Sequence, residues 1–411
     1  MTRFPSPLAP QPRRFNPLAI LAKCALAVGL VSLPTGVIGG GAFGYSDAES
    51  LLLKALREIS LTQLDSARKT IGELLERYPN YRLAHLVQGD LWMAKSRVIV
   101  SLGNSTPTQQ TDLLSGLRAE ASARVKREQD AFKPEQIPAN FWRVPPTQPF
   151  ALAVDVDKSR LYVLSNDNGR LVRIADFYAT IGKAGSGKAR EGDQRTPLGA
   201  YTLLGSISRE KLTDLYGAGA FPLDYPNVWD RIQGRNGFGI WLHGVPSDTY
   251  ARAPRSSDGC VVVSNPDLKL IEKFIAPGRT SFIIAQSIDW VDKDIAGKQS
   301  QALLTAVERW RSDWQALDTR RYLQHYASTF VSDTQRFPEW REQKLAVNAA
   351  KTWAKIDLAN VSAVQYPGEK SLVEVTFDQN YQSSNLSGQT RKRQLWQLID
   401  GRWQIIYEGT A

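Results

Sequence analysis

The chain has 411 residues, 42% of them hydrophobic and 22% charged, which is length for two or three ordinary domains and excludes a collagen, a coiled coil or wholesale disorder. The formal net charge of +10 suits an anionic polymer or a membrane surface. Its basic residues are spread along the chain, with no Lys/Arg run interleaved with aromatics, so nucleic acid is not expected as a partner.

Residues 1–44 read as an export leader. Arg3, Arg13, Arg14 and Lys23 stand there without an acidic residue, an apolar run follows from Leu18 to Leu33, and small residues lead to a cleavage site at Ala42-Phe43-Gly44. The periplasm is therefore the expected compartment. A retained anchor in the inner membrane is the competing reading, although Lys23 and Pro34 make the apolar run short for a span. Cys24 falls inside this leader, so removing it leaves Cys260 as the one cysteine. An unpaired cysteine in an exported protein is a reactive thiol or a liability.

Residues 46–135 read as a helical region. Leu51, Leu52, Ala55, Leu56 and Ile59 recur at helical spacing, as do Leu64, Ala67, Ile71, Leu74 and Leu75 before Tyr78-Pro79, and a third stretch runs from Leu83 to Met93. Short paired helices closed by a proline resemble a tetratricopeptide unit; a plain helical hairpin fits as well. A polar stretch from Thr106 to Glu135 holds one more candidate helix, and Pro138, Pro145, Pro146 and Pro149 predict a linker.

From Ala151 the pattern turns to strands: residues 151–156, Leu161–Leu164, a turn over Asn166–Gly169, then Leu171–Ile181. Further strands are expected over Thr196–Leu204, Phe238–His243 and Phe282–Ala285, with a helix at Pro266–Phe274. The fold class is thus multidomain, with a mainly β domain over residues 150–286. After it, Leu303, Leu304, Val307, Trp310 and Trp314 predict a long amphipathic helix, followed by strands at Lys355–Val364, Leu372–Tyr381, Lys392–Asp400 and Trp403–Glu408. This α+β unit over residues 301–411 resembles the nuclear-transport-factor-2-like cone fold. Trp310, Trp314, Trp340, Trp353, Trp396 and Trp403 read better as its core than as the lining of a glycan groove.

His243-Gly244 ends one strand, and Ser257-Asp258-Gly259-Cys260 follows, with Cys260 17 residues beyond His243. A thiol with a free pKa of about 8.5 needs a base to attack a carbonyl near neutral pH. Of the three histidines, His85, His243 and His325, only His243 falls in the same predicted domain as Cys260. Gly259 leaves room for substrate at the sulfur, and backbone N–H groups near Cys260 can serve a tetrahedral oxyanion. Carrying its proton on His243, the thiol is expected to titrate below a free cysteine. No metal-ligand spacing is present, and no cofactor is expected. The glycine-rich Gly182–Lys188 stretch lacks the Gly-Lys-Ser/Thr ending of a phosphate-binding loop.

These residues resemble the L,D-transpeptidase catalytic (YkuD-type) family, whose signature is His-Gly followed by Ser-x-Gly-Cys. The likeness continues upstream in Gly182-Lys183, Glu191-Gly192-Asp193 and Arg195-Thr196-Pro197-Leu198-Gly199-Ala200-Tyr201. Tyr216-Gly217, Ala220–Leu223 and Tyr225-Pro226-Asn227 are similar to a branch from Gram-negative envelopes. The resemblance implies that Cys260 attacks the carbonyl of meso-diaminopimelate in a tetrapeptide stem of peptidoglycan, with His243 moving the proton and D-Ala leaving. It implies that Ser257 orders the loop or the His, that Gly244, Asp258 and Gly259 shape the oxyanion pocket, and that Tyr201, Trp241 and Arg255 are substrate-binding candidates. Tyr201 and Trp241 also read as core aromatics.

Two departures stand out: Asp258 replaces the family's usual His, and Val262 its usual Arg. Asp258 is left to pair with Arg255, Arg252 or the diaminopimelate ammonium. A relative that hydrolyses, or that cleaves protein from peptidoglycan, fits these departures as well as one that crosslinks. The other class of reading is a non-catalytic envelope scaffold. Protein partners through the outer domains, and a homodimer, are left open.

Overall fold

The computed structural model describes residues 47–104, 111–130, 133 and 135–411. The expected leader and Cys24 lie outside the described residues. Among these residues no helix is long and apolar enough to cross a membrane. The chain divides into two compact units, one of helices up to Arg118 and one from Ala119 to the C-terminus.

The first unit contains α1 (Asp47–Ser60), α2 (Leu64–Arg77) and α3 (Arg82–Met93). α1 has Asp47 and Glu49 in its first turn and Arg57 in its last, the order the helix dipole favours. The faces expected from the spacing are buried: Leu52 and Ala55 of α1, Ala67, Ile71 and Leu74 of α2, and Leu83, Ala84 and Val87 of α3. Glu58 is tolerated among them because Ser66 Oγ and Thr70 Oγ1 each donate to it at 2.8 Å.

α4 (Thr111–Gln129) leads into the second unit. There follow β1 (Gln136–Pro138), β2 (Phe141–Arg143), β3 (Phe150–Asp155), β4 (Arg160–Asp167), β5 (Arg170–Tyr178), β6 (Ile181–Gly182), β7 (Gly199–Thr202) and β8 (Ala220–Pro222). Then come α5 (Val228–Ile232), β9 (Trp241–His243), β10 (Arg255–Ser257), β11 (Val261–Val262), α6 (Asn265–Ile271), β12 (Ser281–Ala285) and β13 (Trp290–Asp292). The C-terminal part has α7 (Lys293–Gln315), α8 (Thr319–Leu323), β14 (Tyr326–Ser332), α9 (Phe337–Ala349), β15 (Ala354–Gln365), β16 (Leu372–Ser383), β17 (Ser387–Ile399) and β18 (Arg402–Thr410).

The central sheet has the order β5-β4-β3-β12-β7, with β3 and β12 parallel and the other pairs antiparallel. β4 and β5 meet at Asn168-Gly169, both with positive φ, the two-residue hairpin turn that an Asn-Gly pair favours. Both faces of this sheet are covered. Leu152, Val154, Leu161, Val163, Phe282 and Ile284 enter a core shared with Leu242, Val261, Leu268 and Ile271. The alternate residues Ala151, Ala153, Tyr162, Leu164 and Ile283 enter another, shared with Val364, Tyr366, Leu395 and Ile406 of the C-terminal part. Cover on both sides explains why these strands read as nearly continuous apolar runs.

The C-terminal sheet has the order β14-β18-β17-β16-β15-β2. α7 lies over it, burying Leu303, Val307, Trp310 and Trp314 with Ile356, Val375, Phe377 and Trp396. Four of the six tryptophans considered above, Trp310, Trp314, Trp340 and Trp396, are core; Trp353 is exposed. The expected proline-rich linker is instead partly built into the sheets: β1 pairs with β13, and β2 forms the edge of the C-terminal sheet beside β15. Strand ends and edges tolerate the missing N–H of proline, so proline content alone misreads this segment.

Candidate active site

The site is built on a small sheet in which β9 lies between β8 and β11. β9 and β11 run parallel, with Leu242 opposite Val261 and His243 opposite Val262. Side chains alternate along a strand. Leu242 and Val261 therefore enter the core, while Trp241, His243 and Val262 face the other way, and Cys260 precedes Val261 on that same face. The parallel pairing brings together two residues that are far apart in sequence.

Cys260 is partly exposed, and its Sγ donates to Gly239 O at 3.4 Å. Burial pushes the thiol above its ordinary pKa; the Trp241 N–H aimed at the sulfur pulls the other way, and Asp258 raises it further. The expectation of a lowered thiol pKa is corrected here: loss of water outweighs the nearby donors and cations. His243 is buried, and burial pushes its imidazole down to about 4. The resting pair is thus a neutral thiol and a neutral imidazole. His243 Nδ1 lies 2.6 Å from Gly244 O, and a carbonyl can only accept, so Nδ1 carries the proton and Nε2 keeps its lone pair. The Tyr216 ring meets the imidazole in a T-shaped contact at 5.1 Å between centroids, and Trp241 packs on Tyr216 at 4.8 Å.

The Ser257–Cys260 turn is held from within. Ser257 Oγ donates to Cys260 O at 2.6 Å and accepts from Gly259 N at 3.2 Å, so Ser257 orders the loop rather than the histidine. Gly259 has φ of +126°, and a Cβ there would meet Arg195 O at 2.8 Å; close backbone packing, more than room for substrate, requires glycine. The Cys260 N–H has no acceptor among the described residues. Gly244 is equally constrained, since a Cβ would come within 2.2 Å of Asn265 Oδ1. That amide oxygen accepts from Ala218 N at 2.8 Å and Val245 N at 3.2 Å, and Asn265 Nδ2 donates to Val245 O at 2.8 Å.

The other predicted residues separate. Asp258 is exposed and pairs with Lys183 at 3.0 Å, not with Arg255 or Arg252. Arg255 points to solvent on β10. Tyr201 is buried in the core edge-on to Tyr225, its hydroxyl directed to Leu198 O at 3.3 Å, and so does not face the thiol. The glycine-rich loop also has an account: Lys183 reaches Asp258, while Lys188 is buried on Asp193 at 2.9 Å. His85 and His325 are engaged elsewhere, on Pro79 O and Asp313. Sequence reasoning gave no role to Tyr216, Lys183 or Asn265; of these only Tyr216 and Lys183 lay in motifs that signalled anything.

A cysteine and a tautomerically fixed imidazole on neighbouring parallel strand ends define a thiol–imidazole site in a β-rich domain. Residues 149–284 match the L,D-transpeptidase catalytic domain family (YkuD), and residues 302–409 match the Cds6 C-terminal NTF2-like domain. The YkuD match relates this domain to the L,D-transpeptidase-like peptidoglycan enzyme family. Among solved structures the chain is similar to Bd1075 of Bdellovibrio bacteriovorus, with 28% identity and a TM-score of 0.60 over 67% of this chain and 98% of that one. It shares its fold with the helical cell shape determining protein Pgp2 of Campylobacter jejuni, at 23% identity and a TM-score of 0.54 over 70% of this chain and 98% of that one. No curated protein matches the chain.

Proposed function

We propose that the protein is a periplasmic cysteine acyltransferase that opens the bond after meso-diaminopimelate in peptidoglycan stem peptides and passes the acyl group to an amine. The observation that carries this reading is the His243 Nδ1–Gly244 O bond, which leaves Nε2 as a base on the face shared with Cys260. Nε2 takes the Sγ proton as sulfur attacks the carbonyl carbon. The carbonyl oxygen becomes an oxyanion facing the free Cys260 N–H. The C–N bond then breaks, the leaving D-Ala amine takes the proton back from His243, and a thioester remains on Cys260. An amine acceptor gives a crosslink; water gives a trimmed stem. Trp241 and Tyr216 wall the site, and Lys183 neutralises Asp258 beside it. The likeness to a cell-shape determinant extends the proposal to control of cell shape.

The test is incubation of the protein with disaccharide-tetrapeptide, followed by intact mass and product analysis. An acyl adduct absent from Cys260→Ala, with dimers or tripeptides formed, supports the reading and identifies the acceptor. A folded protein with neither adduct nor product overturns it in favour of a scaffold.

A further inference from the structure

We propose that the Arg252 guanidinium anchors a substrate carboxylate next to the scissile carbonyl, so that stems with a free carboxylate there are selected. The inference rests on the acyl-transfer reading above and adds its specificity.

The backbone of Arg252 is fixed beside the reacting pair. Its carbonyl accepts from Tyr178 OH at 2.9 Å and from Thr180 Oγ1 at 3.2 Å. Thr180 in turn exchanges both backbone hydrogen bonds with Val262, at 2.8 and 2.9 Å, and Val262 lies opposite His243. Two residues on, Pro254 O accepts from Ile181 N at 2.9 Å, continuing the attachment along β6. Arg252 therefore stands one strand away from the catalytic face and has little freedom to leave it.

Among the described residues near the pair, its side chain is a part-buried cation with no acceptor, whereas Arg255 is exposed to solvent. Lys183 is paired with Asp258, Lys188 with Asp193 and Arg190 O, and Arg195 donates to Ser186 O. The Arg252 guanidinium is half-buried and makes no hydrogen bond or ion pair among the described residues, yet its charge acts on Cys260, His243 and Asp258. A partly desolvated fork of donors without an acceptor is costly. Such a fork matches a planar carboxylate through two parallel hydrogen bonds. A tetrapeptide stem offers two carboxylates near the reacting bond: that of the departing D-Ala, and the free one on diaminopimelate. Both present the same chemistry, and selective amidation tells them apart.

The experiment measures binding on the Cys260→Ala protein by calorimetry, with and without Arg252→Met or Arg252→Lys. The ligands are the free disaccharide-tetrapeptide, the same stem amidated at D-Ala, and the stem amidated at diaminopimelate. Expected is a loss of tenfold or more on amidating one of the two, which identifies the anchored group. Arg252→Met should bind the free stem as weakly as that amide, and Arg252→Lys should recover part of the difference. Equal weakening of free and amidated stems by Arg252→Met, or no amidation effect in the parent, overturns the proposal. The acyl-transfer reading fails separately, by absence of a Cys260 adduct with active thiol, and binding reports on Arg252 in either case.

Discussion

Arg393 of the C-terminal sheet reaches Asp224 of the catalytic domain, Nη2 to Oδ2 at 3.2 Å, with Glu374 at 3.3 Å from its Nε. Asp224 also accepts from Thr202 N at 2.8 Å, and Asn227 just beyond donates to Tyr366 OH at 2.5 Å. The C-terminal domain thus holds the segment that continues to Gly239, the acceptor of the Cys260 thiol. Burial raises the pKa of both Asp224 and Glu374, and Arg393 is the main opposing influence, beside the Thr202 N–H at Asp224 and the Arg391 charge at Glu374. Arg393→Met should leave two buried acids without their main counter-charge and destabilise by about 3–5 kcal/mol. Chemical denaturation at pH 7 checks this. A loss below about 1 kcal/mol would mean that water reaches the cluster.

None of that contact was legible in the sequence, because no local pattern says that one domain's arginine will meet another domain's aspartate. The domain folds were legible for the opposite reason. Strand runs such as Leu161–Leu164 and the helix around Trp310 and Trp314 declare themselves by period and burial. The very short strands β6, β8, β10 and β11, which aim the site residues, have two or three residues each and no readable period. Cys260 and His243 could be picked out by type and motif. Their shared face needed the parallel register, and Asn265 needed the fold itself.

The lowered pKa of His243 predicts a specific loss of stability in acid. An unfolded histidine titrates near 6.5, whereas the buried one takes a proton only near 4. Between those values the unfolded chain binds the extra proton, so stability falls as pH drops from about 6.5 to about 4, by roughly 3 kcal/mol. His243→Gln, which cannot titrate, should flatten that part of the curve. Parallel curves for the two proteins would assign the acid loss to other groups.

The same two shifts predict an inert resting thiol. With Cys260 raised and His243 neutral, iodoacetamide should alkylate the folded protein at pH 7 more slowly than it does free cysteine, and the rate should climb above pH 9. Activity on a bound stem should persist to about pH 5, because Nε2 stays unprotonated there. Rapid alkylation at pH 6, lost in His243→Gln, would instead show a preformed thiolate–imidazolium pair.

Asn265 offers the sharpest test of how the His243 end is held. Its amide oxygen serves two backbone N–H groups and its amide nitrogen serves Val245 O, closing the Gly244 turn against the turn at Ala218 that leads into β8. Asn265→Ala leaves these part-buried groups without partners, an expected cost of about 1–3 kcal/mol. Asn265→Asp keeps the acceptor, so Ala218 and Val245 stay satisfied, but it sets a carboxylate against Val245 O. Because the turn supplies the carbonyl that fixes the His243 tautomer, both changes should lower kcat on tetrapeptide by tenfold or more at temperatures where each variant is folded. KM should move little, since the amide faces the backbone and not the Trp241 side of the site. A variant folded to the same degree with unchanged kcat would show that the tautomer does not depend on this bracing.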